Sequence, residues 1–425
     1  MAAIFPQPQP DKPLKMLAIS ELKNRFTNEQ VLIILITRMY FGTQDDQTVR
    51  HFAATNPIDW QAWYQLIAVN QIRNFIFNTI NHTNIPIDPL IYDTLKKDFL
   101  GWTMFSDRQT EVLQEVLQLC EQAGIRAIPH KGRTLAQKYY RSSDFREGAD
   151  VDLLIDKKDF RLLMKLLLDN GYRLYYEIKE HQLGFVLRFM RELAFRSPEN
   201  RWGISCNVEL KWKLVEDFWG KFQGHAYFAS HLQRYVADDG TLLAELPPTY
   251  DFLCVSVHHL VRESLLKFKY LVDLACIAQA APGEMDWAEI QAQYAAHGFA
   301  PHLWSGINAM QEIIGLSVPV AGVPATHYRL FAKTGNRNRS VLMNKIAHAN
   351  AKVALRARIR TNLRGGLQLF VPNLQDIALS NGPAWTIPFL VVKKIYRFIS
   401  GSSGSSSSHH KFVKRIQDGS GRKNP

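Results

Sequence analysis

Two aspartates, Asp150 and Asp152, stand two residues apart in the run Asp150-Val151-Asp152-Leu153-Leu154-Ile155. Alternation of Val151, Leu153 and Ile155 with their neighbours predicts a strand, and on a strand both carboxylates project from one face. Paired carboxylates at a sheet suit Mg²⁺ or Mn²⁺, hard cations that take oxygen ligands and leave positions open for phosphate oxygens. Held there, such ions assist in-line displacement at phosphorus.

Eighteen residues before Asp150, Lys131-Gly132 ends an extended run and opens a helical stretch. Glycine lets the backbone approach a phosphate closely, the helix N-terminus favours anions, and lysine adds a full positive charge. Arg146, four residues before Asp150, has two readings: a bidentate grip on phosphate, or an ion pair with Glu147 or Asp144. In a second alternating run, Asn207, Glu209 and Lys211 share one face while Val208, Leu210 and Trp212 share the other. If the two strands pair, Glu209 arrives near the aspartates as a third metal ligand or a general base. Further on, His258, Arg262, Lys269 and Asp273 follow at spacings of 4, 7 and 4, near one face of a predicted helix. They form either a wall that contacts NTP phosphates across a cleft or an ordinary surface with a Lys269–Asp273 pair.

The ordered set resembles the uncharacterised bacterial nucleotidyltransferases of the DNA polymerase β-like superfamily. That pattern runs from a Lys-Gly turn through Arg-x-x-x-Asp-x-Asp-Leu-Leu-Val and a Gly-Tyr to a Glu-Leu-His-Trp strand. Here the matches are Lys131-Gly132, Arg146 with Asp150 to Ile155, Gly171-Tyr172, and Glu209-Leu210-Lys211-Trp212, with His258, Lys269 and Asp273 downstream. Two departures are Ala149 where the family has glycine and Lys211 where it has histidine. The resemblance implies an α+β fold, with a small mixed-sheet core like a polymerase β palm flanked by helical regions. It also implies transfer of a nucleoside monophosphate from an NTP, expected to be ATP, with two Mg²⁺ assisting and pyrophosphate leaving. It names no acceptor. In that frame Asp150, Asp152 and Glu209 are catalytic and metal-binding, while Lys131, Gly132, Arg146, His258, Lys269 and Asp273 bind nucleotide.

These residues need elements to position them. With 425 residues the chain is long enough for two or three packed units. Apolar residues at three-to-four spacing predict an N-terminal helical region over 14–124. Residues 125–246 carry the α/β core, with extended runs at 125–129, 150–155, 188–196 and 204–212 and a helix from Phe160 stopped at Gly171. A C-terminal helical region follows over 247–400, opening with one long helix capped by Thr249 and running to about Ala278. Residues 401–425 are Gly/Ser-rich and then basic, the composition of a disordered tail.

The net charge of +12 is uneven: residues 331–400 carry +11 and 401–425 carry +4, leaving the first 330 at −3. A helix bearing Lys345, Lys352, Arg356, Arg358, Arg360 and Arg364 suits a polyanion, either nucleic acid or an acidic membrane surface. This supports an alternative in which an idle nucleotidyltransferase fold binds such a surface. Cys120, Cys206, Cys254 and Cys276 lack C-x-x-C spacing and are expected as plain buried thiols. No run approaches the ~20 apolar residues of a membrane span, and residues 1–13 lack a signal pattern, so a cytoplasmic protein is expected.

Overall fold

Helix α2 (Asn28–Phe41) opens with a capping box, in which Thr27 Oγ1 accepts from Gln30 N and Gln30 Oε1 accepts from Thr27 N, and it stops at left-handed Gly42. Every residue from Val31 to Ile36 is fully buried, so this helix is apolar all round and has others on every side. Around it lie α1 (Ile19–Arg25), α3 (Asp46–Thr55), α4 (Trp60–Val69) and α5 (Arg73–Ile80). The computed structural model of the chain describes residues 15–216, 220–236, 242–320, 323–326, 328–331, 372–378, 380 and 389–392. The basic helix expected at Lys345 to Arg364 and the 401–425 tail lie outside the described residues.

A 34-residue helix, α6 (Pro89–Gln122), is capped by Asp88 with Pro89 in its first turn, and it spans roughly 50 Å. Its N-terminal half places Ile91 and Leu95 in the helical core, and its C-terminal half places Val112, Val116 and Cys120 against the sheet. One helix thus ties the two hydrophobic cores together.

The sheet contains β1 (Ile128–Pro129), β2 (Asp150–Leu154), β3 (Arg173–Leu174), β4 (Glu192–Arg196) and β5 (Asn207–Lys211) in spatial order β1-β2-β5-β4-β3. Only the β2–β5 pair is parallel, so the sheet is mixed and the fold is α+β. Val151 and Leu153, Val208 and Leu210, and Leu193 and Phe195 face a core shared with α8 (Phe160–Asp169) and α9 (Glu180–Phe189). Strict alternation sends Asp150, Asp152, Glu209, Lys211 and Glu192 to the opposite face. Gly171, at φ 81°, ends α8 as expected.

Several expectations are corrected. The extended run at 125–129 pairs only at Ile128–Pro129, and that expected at 188–196 begins at Glu192, because 180–189 is helix α9. No single helix runs from Thr249 to Ala278. Instead α11 (Pro248–Ser256) passes into a π-helical turn (Val257–Arg262), the chain reverses at Ser264 and Leu265, both at positive φ, and α12 (Phe268–Ala280) follows. The residue capping α11 is Pro247, whereas the Thr249 hydroxyl accepts from Asp286 N at 2.8 Å. Helices α11 and α12 pack into the same core as α2 and α5, so the N- and C-terminal helical regions share one interior. Ile377, on the short helix Leu374–Ala378, is fully buried in the sheet core. All four cysteines are buried and free. Among the described residues no helix is long and apolar enough to cross a membrane.

Candidate active site

The Lys-Gly turn is held in a conformation that only glycine adopts readily: Lys131 has φ 67° and ψ −158°, and Gly132 has φ 54°. A Cβ on Gly132 would lie 3.2 Å from the Asp150 carbonyl oxygen, so glycine is what lets the turn press against β2. His130 N donates to Asp152 O at 3.1 Å and pins the turn from the other side. Helix α7 (Gly132–Tyr139) starts there, directing its free N–H groups towards the opening. A recess is lined by Lys131, Gly132, Arg133, Thr134, Asp150 and Asp152.

Lys131 is 7% exposed, and its ammonium makes no hydrogen bond or ion pair with any described residue. Burial, helped by the Lys211 charge, lowers its ammonium to about 7. An unfolded lysine titrates near ~10.4, so between those values the unfolded chain holds a proton that the fold does not. Lys131 therefore destabilises the fold below pH 7, and the penalty fades as the pH rises through that window. An anion beside it would reverse the effect.

Parallel pairing sets Asp152 beside Glu209 and Asp150 beside Asn207, whose Nδ2 donates to Asp150 Oδ1 at 3.2 Å. On the far side of β5, Glu192 pairs with Lys211. The Lys211 ammonium, on a residue 2% exposed, bonds to Asp152 Oδ1, lies 2.7 Å from Glu209 Oε2 and is 3.5 Å from Glu192 Oε2. Burial and then the Asp152 charge raise the Asp150 carboxyl above its usual range. Burial and Glu192, against the pull of Lys211, push Glu209 up to about 8. Burial acts upward on Asp152 too, but Lys211, Lys131 and His130 hold it well below the ordinary range. The donors at Asp150 and Asp152 are hard oxygens, which fits Mg²⁺ or Mn²⁺ there, while Glu192 is already bonded by Arg191. Among the described residues no three His, Cys, Asp or Glu groups stand in metal-holding geometry, and the space between Asp152 and Glu209 is taken by Lys211.

Arg146 pairs with neither Glu147 nor Asp144. Its Nε and Nη2 grip Asp273 at 2.7 and 3.0 Å, and its Nη1 donates to Gly132 O at 3.2 Å. Glu147 instead receives Arg73, and Asp144 receives Arg133. Asp273, fully buried, also accepts from Tyr140 Oη at 2.6 Å and bonds His259 Nε2 at 2.8 Å. Lys269 forms no surface pair with Asp273; its ammonium donates to Glu147 O at 2.8 Å and Gln71 Oε1 at 3.2 Å, and burial lowers it to about 8.

The partners fix the two histidine tautomers. Arg262 Nη1 can only donate to His258 Nε2, so His258 Nδ1–H donates to His259 Nδ1, and His259 Nε2–H to Asp273. Burial keeps both rings neutral, with His259 lowered to about 4. The π-helical turn is what aims both rings inward. A continuous polar chain thus runs from Arg262, which also holds Glu216 and Glu263, through Asp273 and Arg146 to the carbonyl of Gly132.

The structure therefore brings Lys131, Gly132, Asp150 and Asp152 around one recess with Glu209 alongside, and it joins Arg146, His258 and Asp273 in a support behind the turn. Sequence reasoning passed over Glu192, His259, Tyr140 and His130. Glu192 was visible as a carboxylate alternating with Leu193 and Phe195. His130, 1% exposed with both ring nitrogens unpartnered among the described residues, carried no signal.

Sheet order, covering helices and charged face together define an α+β protein whose ionisable groups converge on one side of a mixed sheet. The chain belongs to the family described as uncharacterised nucleotidyltransferase, which matches residues 56–315. No curated protein matches it.

Proposed function

We propose that the chain transfers a nucleoside monophosphate from an NTP, with ATP the first candidate, to a hydroxyl or phosphate acceptor, using a divalent ion held by Asp150 and Asp152. The observation that carries this is the parallel register of Asp152 with Glu209 beside a turn whose buried lysine has no partner among the described residues. The ion, when bound, supplies Lewis-acid charge to the phosphate oxygens. Lys131 and the first N–H groups of α7 receive the triphosphate. Glu209 takes the acceptor proton as its oxygen bonds the α-phosphorus, the α-phosphorus–oxygen bond to the β-phosphate breaks, and pyrophosphate leaves with that electron pair. A carboxylate raised to about 8 is well matched to a general base near neutral pH. Arg146 and Asp273 act indirectly, by fixing the turn.

Glu209→Gln tests the assignment. It is expected to lower kcat by ~10²–10⁴-fold with little change in NTP affinity, because the proton is taken in the transition state. Calorimetric Mg·ATP titration and single-turnover rates on both proteins, with the acceptor first captured by labelled NTP in cell extract, decide it. Equal rates would remove Glu209 from the chemistry.

Lys131→Gly addresses the turn. Relief of about 1–3 kcal/mol of backbone strain exceeds the ~0.5–1 kcal/mol of added unfolded-state freedom, so this variant should be more stable than wild type by about 1 kcal/mol. It should also bind Mg·ATP ~10–100-fold more weakly, the scale of a lost charged hydrogen bond. Denaturant unfolding and calorimetry on one preparation check both halves. One observation favours the idle alternative, the ammonium of Lys211 already lodged among the carboxylates. Absence of chelator-sensitive Mg·ATP binding would select that alternative.

A further inference from the structure

We propose that Lys211 occupies the place of a second cation, so that this chain holds one divalent ion per site and its own ammonium supplies the other positive charge. The inference rests on the nucleotidyltransferase reading above and concerns how that site is completed.

A two-ion site requires two metals about 3.5–4 Å apart with a carboxylate shared between them. The carboxylate placed to be shared is Asp152, which lies between Asp150 on its own strand and Glu209 in register on β5. One of its oxygens, Oδ1, is bonded to the Lys211 ammonium. The same ammonium lies 2.7 Å from Glu209 Oε2, and Glu192 Oε2 completes a third side at 3.5 Å. An ammonium has three protons and no acceptor, and here three carboxylates are available to receive them. This is the coordination a metal ion at that point would draw on.

Lys211 has little freedom to leave. Its residue is 2% exposed, its carbonyl accepts from Ile155 N at 2.8 Å, and its strand is paired on both sides. Its ammonium is bonded to Asp152 Oδ1 and flanked by Glu209 and Glu192, so its position is held from three sides. A second divalent ion would have to sit against a fixed positive charge and compete for the same oxygens. Asp150 and Asp152 both line the recess, and with Oδ1 of each bonded to Asn207 and Lys211 their second oxygens remain for one ion.

Mn²⁺ titration followed by electron paramagnetic resonance reads this without turnover. Wild type is expected to bind one Mn²⁺ per chain with the spectrum of an isolated ion. Lys211→Ala opens the position while leaving its three carboxylates, and it should bind two, with the broadened spectrum of neighbouring spins. Lys211→Arg keeps the charge and should bind one. Two coupled ions in wild type, or a single ion in a folded Lys211→Ala, would overturn the proposal. If Lys211→Ala does not fold, the wild-type and Lys211→Arg stoichiometries still decide it. No Mn²⁺ bound by wild type would instead sink the metal-dependent enzyme reading and this inference with it, a result distinct from two coupled ions.

Discussion

Asp150→Asn and Asp152→Asn should both reduce transfer by at least ~10³-fold, the equivalent of about 4 kcal/mol of transition-state stabilisation, yet move the stability of the metal-free protein in opposite directions. The activity loss is common to both because each exchanges a charged oxygen ligand for a weak neutral one. Their stabilities diverge because the neighbours differ. Asp150 is raised by burial and by Asp152, so its charged form is costly, and Asn keeps the partnership with Asn207. Asp152→Asn removes the counter-charge of a buried ammonium, although Glu209 and Glu192 remain to hold Lys211. A loss of about 1–3 kcal/mol is expected there, short of the ~3–5 kcal/mol for stranding a buried charge completely. The pH dependence carries the same signs. Asp152, depressed, contributes stability above the ordinary carboxylate range that is lost as the pH falls through its folded value. Glu209, raised to about 8, and Asp150, raised, bind protons in the fold that the unfolded chain releases, so Glu209 erodes stability as the pH rises towards 8 and Asp150 does so as the pH rises through its own folded value. Thermal melts in chelator from about pH 2 to 8.5, beside single-turnover rates, check every part. Equal shifts in the two variants would remove the asymmetry on which the site is built.

How far this site could be read in advance depended on how local each contact was. Asp150 and Asp152 share a face by strand geometry, and Val208 and Leu210 mark the buried side of β5 in the same way, so both strands were legible from two-residue alternation, while the α+β class came from the family resemblance. Glycine at 132 was legible for a related reason, since a turn into a helix beside a strand leaves no room for a Cβ. Register was not. Nothing local dictates that Asp152 pairs with Glu209, because parallel strands far apart in the chain are aligned by the cores on either side. Long-range partners were hidden for the same reason. Arg146 had acidic neighbours at Glu147 and Asp144, but its carboxylate is Asp273, brought close by the reversal at Ser264-Leu265. Neither of those residues is a glycine or asparagine, so a left-handed turn within a hydrophobic helical pattern gave no warning. Lys211 showed in the sequence as a departure from a family pattern on the face of Glu209; its meaning came from three strands meeting.

Asp273→Ala should destabilise the whole helical body by at least ~3–5 kcal/mol, whereas a residue that only lined a nucleotide cleft would be dispensable to folding. The carboxylate is fully buried and accepts from Tyr140, from two nitrogens of Arg146, and from His259. These donors come from the end of α7, the lead into β2 and the π-helical turn, so one side chain on α12 ties together the support of the Lys-Gly turn. Burial opposes its charge, but Arg146 and His259 hold its carboxyl far below the ordinary range, which favours the anion. Its removal leaves the Arg146 guanidinium without a counter-ion in a site 9% exposed, which is the costly half of the change. Asp273→Asn keeps the shape and one acceptor and should cost less, and Arg146→Met, which leaves the Asp273 carboxylate with only Tyr140 and His259 as donors, should fall between the two. Nucleotide affinity should drop along the series only as far as the turn loosens, in step with stability. Denaturant midpoints and Mg·ATP titrations on all three variants make the comparison. A well-folded Asp273→Ala with wild-type stability and no nucleotide binding would return Asp273 to the nucleotide wall that its spacing first suggested.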